Sequence, residues 1–168
     1  MKFIYKSLFF IFIIFVTHAI AIGEQQNQQS LSQDFLKLME QDSFDKAASL
    51  FHYPKTYTIE KKKEEFKSVK QALKRYKRHL GNIVEQVNHM PNGKFIGIGI
   101  SGADLHYWKK NQEQSAQTAI PCKFEKVEFG VIRILFCNID NQIEIQSVDY
   151  AFIETDESKR LLKKLIKK

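Results

Sequence analysis

The chain reads as an α+β domain, with N-terminal helices packed on a curved antiparallel sheet and an extra helix at the C-terminus. Three features predict this. Between Glu60 and Leu80, the residues Phe66, Val69, Leu73, Tyr76 and Leu80 recur at intervals of three and four, the spacing of one helix face. From Ile83 to Ile153, short apolar runs are punctuated by Gly, Pro and Asn, as strands are. The last run changes parity: Ile143 and Ile145 alternate one way, Val148, Tyr150 and Phe152 the other. One extra residue near Gln146-Ser147 explains this as a β-bulge, which bends a strand.

The 168 residues suffice for one domain. Lys2 and Lys6 precede a nearly unbroken apolar run from Ser7 to Val16, and Ala19-Ile20-Ala21 fits a small-x-small cleavage site. Residues 1–21 are therefore expected to be a signal peptide, and the protein to be exported, periplasmic or secreted. The run is about half of the roughly 20 residues that span a bilayer. The alternative is an uncleaved anchor. Without residues 1–21 the formal charge falls from +7 to +5, a moderately basic domain.

Residues 22–32 are polar and Gln-rich and are expected to be a flexible leader. Ser32-Gln33-Asp34 opens a short amphipathic helix carrying Phe35, Leu36, Leu38 and Met39. Asp42-Ser43 interrupts it and can cap a second turn with Phe44, Ala47, Ala48 and Phe51. Tyr53-Pro54 ends that turn. Gly81 supplies the C-cap of the long helix. Strands are expected from Ile83 to His89, from Lys94 to Ser101 after the turn Pro91-Asn92-Gly93, and from Gln142 to Ile153 after Asp140-Asn141. Between them, Trp108 precedes a polar loop. Residues 155–168 form the basic amphipathic C-terminal helix. Leu161, Leu162, Leu165 and Ile166 share one face, with Lys159, Arg160, Lys163, Lys164, Lys167 and Lys168 on the other.

Cys122 and Cys137 lie in two strand-like runs around Phe129-Gly130. A two-residue turn there sets Cys122 opposite Cys137 and makes a disulfide reachable, and export permits one. In that register the pair falls on a hydrogen-bonded site, where the Cα atoms are farther apart than cross-strand bridges favour. The alternative is two buried thiols.

Other patterns exclude chemistry. Gly97-Ile98-Gly99-Ile100-Ser101-Gly102 matches G-x-G-x-x-G, but it lies inside a strand pattern with no βαβ series around it, so no cofactor is expected. His18, His52, His79, His89 and His106 are scattered without ligand spacing, and no metal is expected. Lys61-Lys62-Lys63, Lys74 to Arg78 and the C-terminal helix could meet an anionic membrane surface or an acidic polymer. The simpler reading is a solvated face whose apolar side packs on the domain. Export separates the chain from nucleic acid.

The first helical stretch, Phe35 to Met39 then Asp42 to Phe51, and the meander from Cys122 to Ile153 with Asn141 to Ser147 in its last strand, resemble the NTF2-like (cystatin-like, cone-shaped) superfamily, including its small exported bacterial proteins. The resemblance covers most of residues 33–154 and implies a helix-lined cone and, in many members, homodimers through the open sheet face. The C-terminal basic helix and the interrupted first helix depart from that pattern. Isomerases and dehydratases of the superfamily place an Asp or His-Asp pair and a Tyr inside the cone. In this chain the residues with such chemistry are Asp149, His106, Asp104 and Tyr150, with Tyr107 beside them. Neighbours such as Asp149 and Tyr150 point to opposite faces of a strand unless a bulge separates them.

The expected function is an exported, non-enzymatic binding or interaction module of NTF2-like type, whose partner is a small ligand or a protein. The alternatives are a small cavity enzyme using the Asp/His/Tyr set for proton transfer or hydrolysis, and an envelope-surface protein held by the basic C-terminal helix. A filled apolar cone favours the first, a deep cavity with a buried carboxylate the second, and a detached helix the third.

Overall fold

The computed structural model describes residues 25–89, 92–101, 117–140 and 142–166. The expected signal segment 1–21, Pro91, the stretch bearing Asp104, His106, Tyr107 and Trp108, and Lys167 and Lys168 lie outside them.

Residues 25–40 are helical (α1). This corrects the expectation of a flexible leader: Gln25 to Ser32 is the first half of the helix. The stretch holds no Gly or Pro, and glutamine is a good helix former. Once Phe35, Leu36 and Met39 bury their side chains, propagation back toward Leu31 and Ser32 is cheap. Asp42 adopts a left-handed φ of 53°. The bonds Ser43 N–H to Leu38 O (2.9 Å) and Asp42 N–H to Met39 O (3.3 Å) close α1 as a Schellman motif. A short helix follows, α2 (Phe44–Ser49), burying Ala47 and Ala48. Ser43 precedes it without a side-chain cap.

The long helix α3 (Ile59–Leu80) buries Val69, Leu73, Tyr76 and Leu80 of the stripe read from the sequence, and Phe66, its fifth member, is half-buried against the core. Thr58 caps its start by accepting a bond from the Lys61 N–H, and Gly81, at φ 78°, closes its end.

Strands β1 (Ile83–Gln86), β2 (Phe95–Ser101), β3 (Gln117–Phe124), β4 (Val127–Ile139) and β5 (Gln142–Ile153) form one antiparallel sheet in the order β1-β3-β4-β5-β2. Its inner face presents Phe124, Ile132, Ile134, Val148, Tyr150 and Phe152 to the helices, and these make the core with Phe35, Leu73 and Leu80. The bulge stands where the parity change put it: Leu135 pairs with Ser147 and Phe136 with Ile145, leaving Gln146 as the extra residue. Gly97 and Gly99 lie in β2 as strand glycines. A Cβ at Gly97 would sit 2.8 Å from the Tyr150 carbonyl oxygen, so close approach to β5 requires the missing side chain.

The β3–β4 turn is at Glu125-Lys126, not at Phe129-Gly130. The end of α3 selects it. The Asn82 N–H and side-chain amide donate to the Glu125 carboxylate at 2.9 and 2.7 Å, and the Lys126 N–H donates to Leu80 O at 3.0 Å. Gly130 instead faces inward under the Phe124 and Phe152 rings. The register moves with the turn: Cys122 pairs with Gly130 and Cys137 with Glu144. Both cysteines are free thiols on opposite faces, and this register does not bring them within reach of the expected disulfide.

The last helix, α4 (Asp156–Ile166), begins with a reciprocal cap. The Ser158 N–H donates to Thr155 Oγ1 (3.0 Å) and the Thr155 N–H to Ser158 Oγ (2.8 Å). Leu165 is buried and Leu161 and Leu162 pack on the core, so α4 is docked on the domain. Ile166, expected on the same face, is 61% exposed. Among the described residues no helix is long and apolar enough to cross a membrane.

Candidate functional site

Among the described residues, the side chains between helices and sheet leave little space around Tyr150. A cavity of about 20 Å³ remains, bordered by Leu36, Met39, Tyr76, Phe124, Ile132 and Tyr150. That is room for roughly one water molecule. Tyr76 and Tyr150 meet edge to face with ring centroids 4.7 Å apart. Burial raises both hydroxyl pKa values well above 10.0, so they stay protonated at neutral pH.

Asp149 and Tyr150 do point to opposite faces. Asp149 lies on the outer face, where Arg133 holds its carboxylate at 2.7 Å and Ser147 Oγ donates to it at 3.3 Å. Gly99 lies against it: a Cβ there would collide with Asp149 Oδ1. The carboxylate is therefore committed to an ion pair outside the core, and the sheet separates it from the tyrosine. Asp104 and His106 are outside the described residues.

A larger concavity, about 860 Å³, lies between the end of α3, the β3–β4 turn and α4. Half-buried Val127, Phe129, Ile153 and Leu161 form its apolar floor, and exposed Arg78, Lys126, Arg160 and Lys164 stand around it against Glu128 and Glu157. Among the described residues none of these four cations pairs with a carboxylate, whereas Lys55, Lys70, Lys77, Lys94, Lys123 and Lys159 all do. His79, beside them, has its pKa lowered first by burial and then by the charges of Lys164, Arg78, Lys126 and Arg75. The side chains thus create a positive field over an apolar surface. Of the basic residues expected on α4, Arg160 and Lys164 border this groove. Lys159 is paired with Glu154 at 3.1 Å, and Lys163 is exposed. Sequence reading singled out the basic helix and the Lys74 to Arg78 run but not Lys126, because only the true position of the β3–β4 turn brings Lys126 alongside them.

A second cluster lies on the outer face near the β4–β5 turn. His52, Cys137 and Glu144 each offer a ligand atom, all within 4.8 Å of one another. His52 Nδ1 and Glu144 Oε2 are 2.6 Å apart. Cys137 is half-buried, and burial, with the Glu144 charge, pushes its thiol up to about 11. Histidine spacing along the chain gave no sign of this group, whose members are assembled only by strand pairing.

Comparison with protein-family models, curated proteins and solved structures gives no match to this chain.

Proposed function

We propose that the chain is an exported, non-enzymatic binding module of NTF2-like type, and that it holds an anionic amphiphile in the groove between α3, the β3–β4 turn and α4. The observation that carries this reading is the groove itself: four cations without carboxylate partners around an apolar floor. Such a surface suits a ligand with a negative head and a hydrocarbon body, since apolar burial and charge attraction act together. The small size of the inner cavity supports it from the other side: among the described residues the space beside Tyr150 is about 20 Å³, which is less than a substrate needs. The docking of α4 argues against a helix free to lie in a bilayer, as Leu165 is already buried.

The test is calorimetric titration of the protein with short-chain phosphatidylglycerol below its micelle concentration, with short-chain phosphatidylcholine, and with phosphatidylglycerol vesicles. Monomeric phosphatidylglycerol should bind in preference to phosphatidylcholine, more weakly as salt rises. The double substitution Arg160→Glu, Lys164→Glu should weaken binding at least about tenfold, about 1.4 kcal/mol. Binding to vesicles alone would assign the anionic head to a bilayer surface. No preference for the anionic lipid in either form, or affinity unchanged by the double substitution, would overturn the proposal.

A further inference from the structure

His52 lies 92 residues from Glu144 in the chain and Cys137 lies 7 from it, yet the three stand side by side. Their neighbourhood follows from the backbone. Cys137 and Glu144 are a cross-strand pair on the β4–β5 hairpin. Just beyond them the Gln146 bulge turns β5, and β2 ends at Ser101, paired with Ser147. That leaves the edge of β5 open at Ile145. The segment after α2 fills it: Phe51 bridges Ile145 in parallel, Ile145 N–H donates to Leu50 O at 2.9 Å, and His52 N–H donates to Ile145 O at 2.7 Å. Phe51 and Ile145 point into the core, so alternation sends His52 and Glu144 to the outer face, in line with Cys137. Three adjacent strand positions thus present an imidazole nitrogen, a carboxylate oxygen and a sulfur from hydrogen-bonded backbone.

We propose that His52, Cys137 and Glu144 form a site for one zinc ion, with a fourth coordination position open to solvent. The donor set decides the metal. A sulfur and an imidazole are poor ligands for Mg²⁺ or Ca²⁺, while N, S and O donors together suit Zn²⁺. Three protein ligands with one open position is the pattern of zinc sites that bind a further group. The geometry needs small adjustments. Around a tetrahedral zinc, nitrogen and oxygen ligands lie about 3.3 Å apart. The 2.6 Å contact between His52 and Glu144 must therefore open slightly as the ion takes the place of the shared proton. The thiol releases its proton to solvent and binds as thiolate. Access is provided, since Glu144 also borders a polar concavity of about 500 Å³ lined by Asn27, Asp34, Asn138 and Gln142.

The test is titration of the reduced protein with Zn²⁺ in competition with a chromophoric chelator, alongside titration with Co²⁺ followed by absorption. One equivalent of Zn²⁺ should bind, and Co²⁺ should give the near-ultraviolet charge-transfer band of a thiolate ligand. Cys137→Ser should abolish the band, and His52→Ala should weaken Zn²⁺ binding at least about tenfold. Cys122→Ser should keep both, because Cys122 is on the inner face and fully buried. Circular dichroism without metal checks that each variant folds. If Cys137→Ser does not, a band that persists in Cys122→Ser still assigns the ligand to Cys137. Absence of stoichiometric Zn²⁺ binding, a band retained in folded Cys137→Ser, or a band lost in folded Cys122→Ser would overturn the site.

Discussion

Gly130 has no room for a side chain. A Cβ there would lie 2.8 Å from a Phe124 ring atom and 2.9 Å from one of Phe152, both in the core. Gly130→Ala should cost about 1–3 kcal/mol through overpacking, read as a lower urea midpoint at unchanged m value. Asp149 makes a different kind of contribution. Its partner Arg133 is 43% exposed, so the pair is screened, and Asp149→Asn should cost only about 1 kcal/mol. In the groove titration the same variant should bind like the wild type. A loss of affinity matching that of the Arg160/Lys164 double variant would mean that the outer-face carboxylate belongs to the ligand site. The opposed directions of Asp149 and Tyr150 were legible in the sequence, because strand alternation is local. The pairing of His52 with Glu144 was not, since it depends on a chain crossing fixed by the core residues Phe51 and Ile145.

The terminal helix links stability to the proposed ligand site. Its first turn rests on the Thr155–Ser158 exchange, and Ser158 Oγ also donates to Ile153 O at 2.7 Å, joining α4 to the end of β5. Thr155→Ala should therefore cost about 1 kcal/mol and loosen the turn that carries Arg160. Hydrogen exchange should quicken over the start of α4, with a parallel loss of groove affinity. Helix α3 and the β5 bulge could be read from periodicity alone. The β3–β4 turn could not. Glu125-Lys126 carries no turn signature of its own and is fixed by Asn82 and Leu80 at the end of α3. Phe129-Gly130 offered the glycine, but that glycine serves packing. The first half of α1 was missed for a related reason: Gln25 to Ser32 has helical propensity but little apolar patterning, and its helix is propagated from the anchored half at Phe35.

Through the whole domain, buried groups that are neutral at pH 7 set the response to alkali. Burial pushes the Cys122 thiol up to about 12 and Cys137 up to about 11, from an ordinary 9.0, and raises Tyr53, Tyr76 and Tyr150 above 10.0. In each case the folded state keeps its proton where the unfolded chain has lost it. The stabilisation is complete below about pH 9 and is lost as pH climbs through 9 to 12. Urea midpoints should therefore fall across that window. Thiol titration of the unreduced protein should find two reactive sulfhydryls on unfolding, in keeping with the free Cys122 and Cys137. The α+β architecture was visible in the sequence because it follows from periodicity. The groove was not, because it needs Arg78, Lys126, Arg160 and Lys164 from three separate elements to converge.

The most direct test of the proposed binding function is nuclear magnetic resonance mapping of backbone amides during titration with monomeric short-chain phosphatidylglycerol. The largest shifts should fall on Arg78 to Gly81, Lys126 to Phe129 and the first two turns of α4, leaving Ile132 and Tyr150 undisturbed. Shifts centred on the core around Tyr76 and Tyr150, or none at saturating lipid, would contradict a module that binds its ligand in the groove.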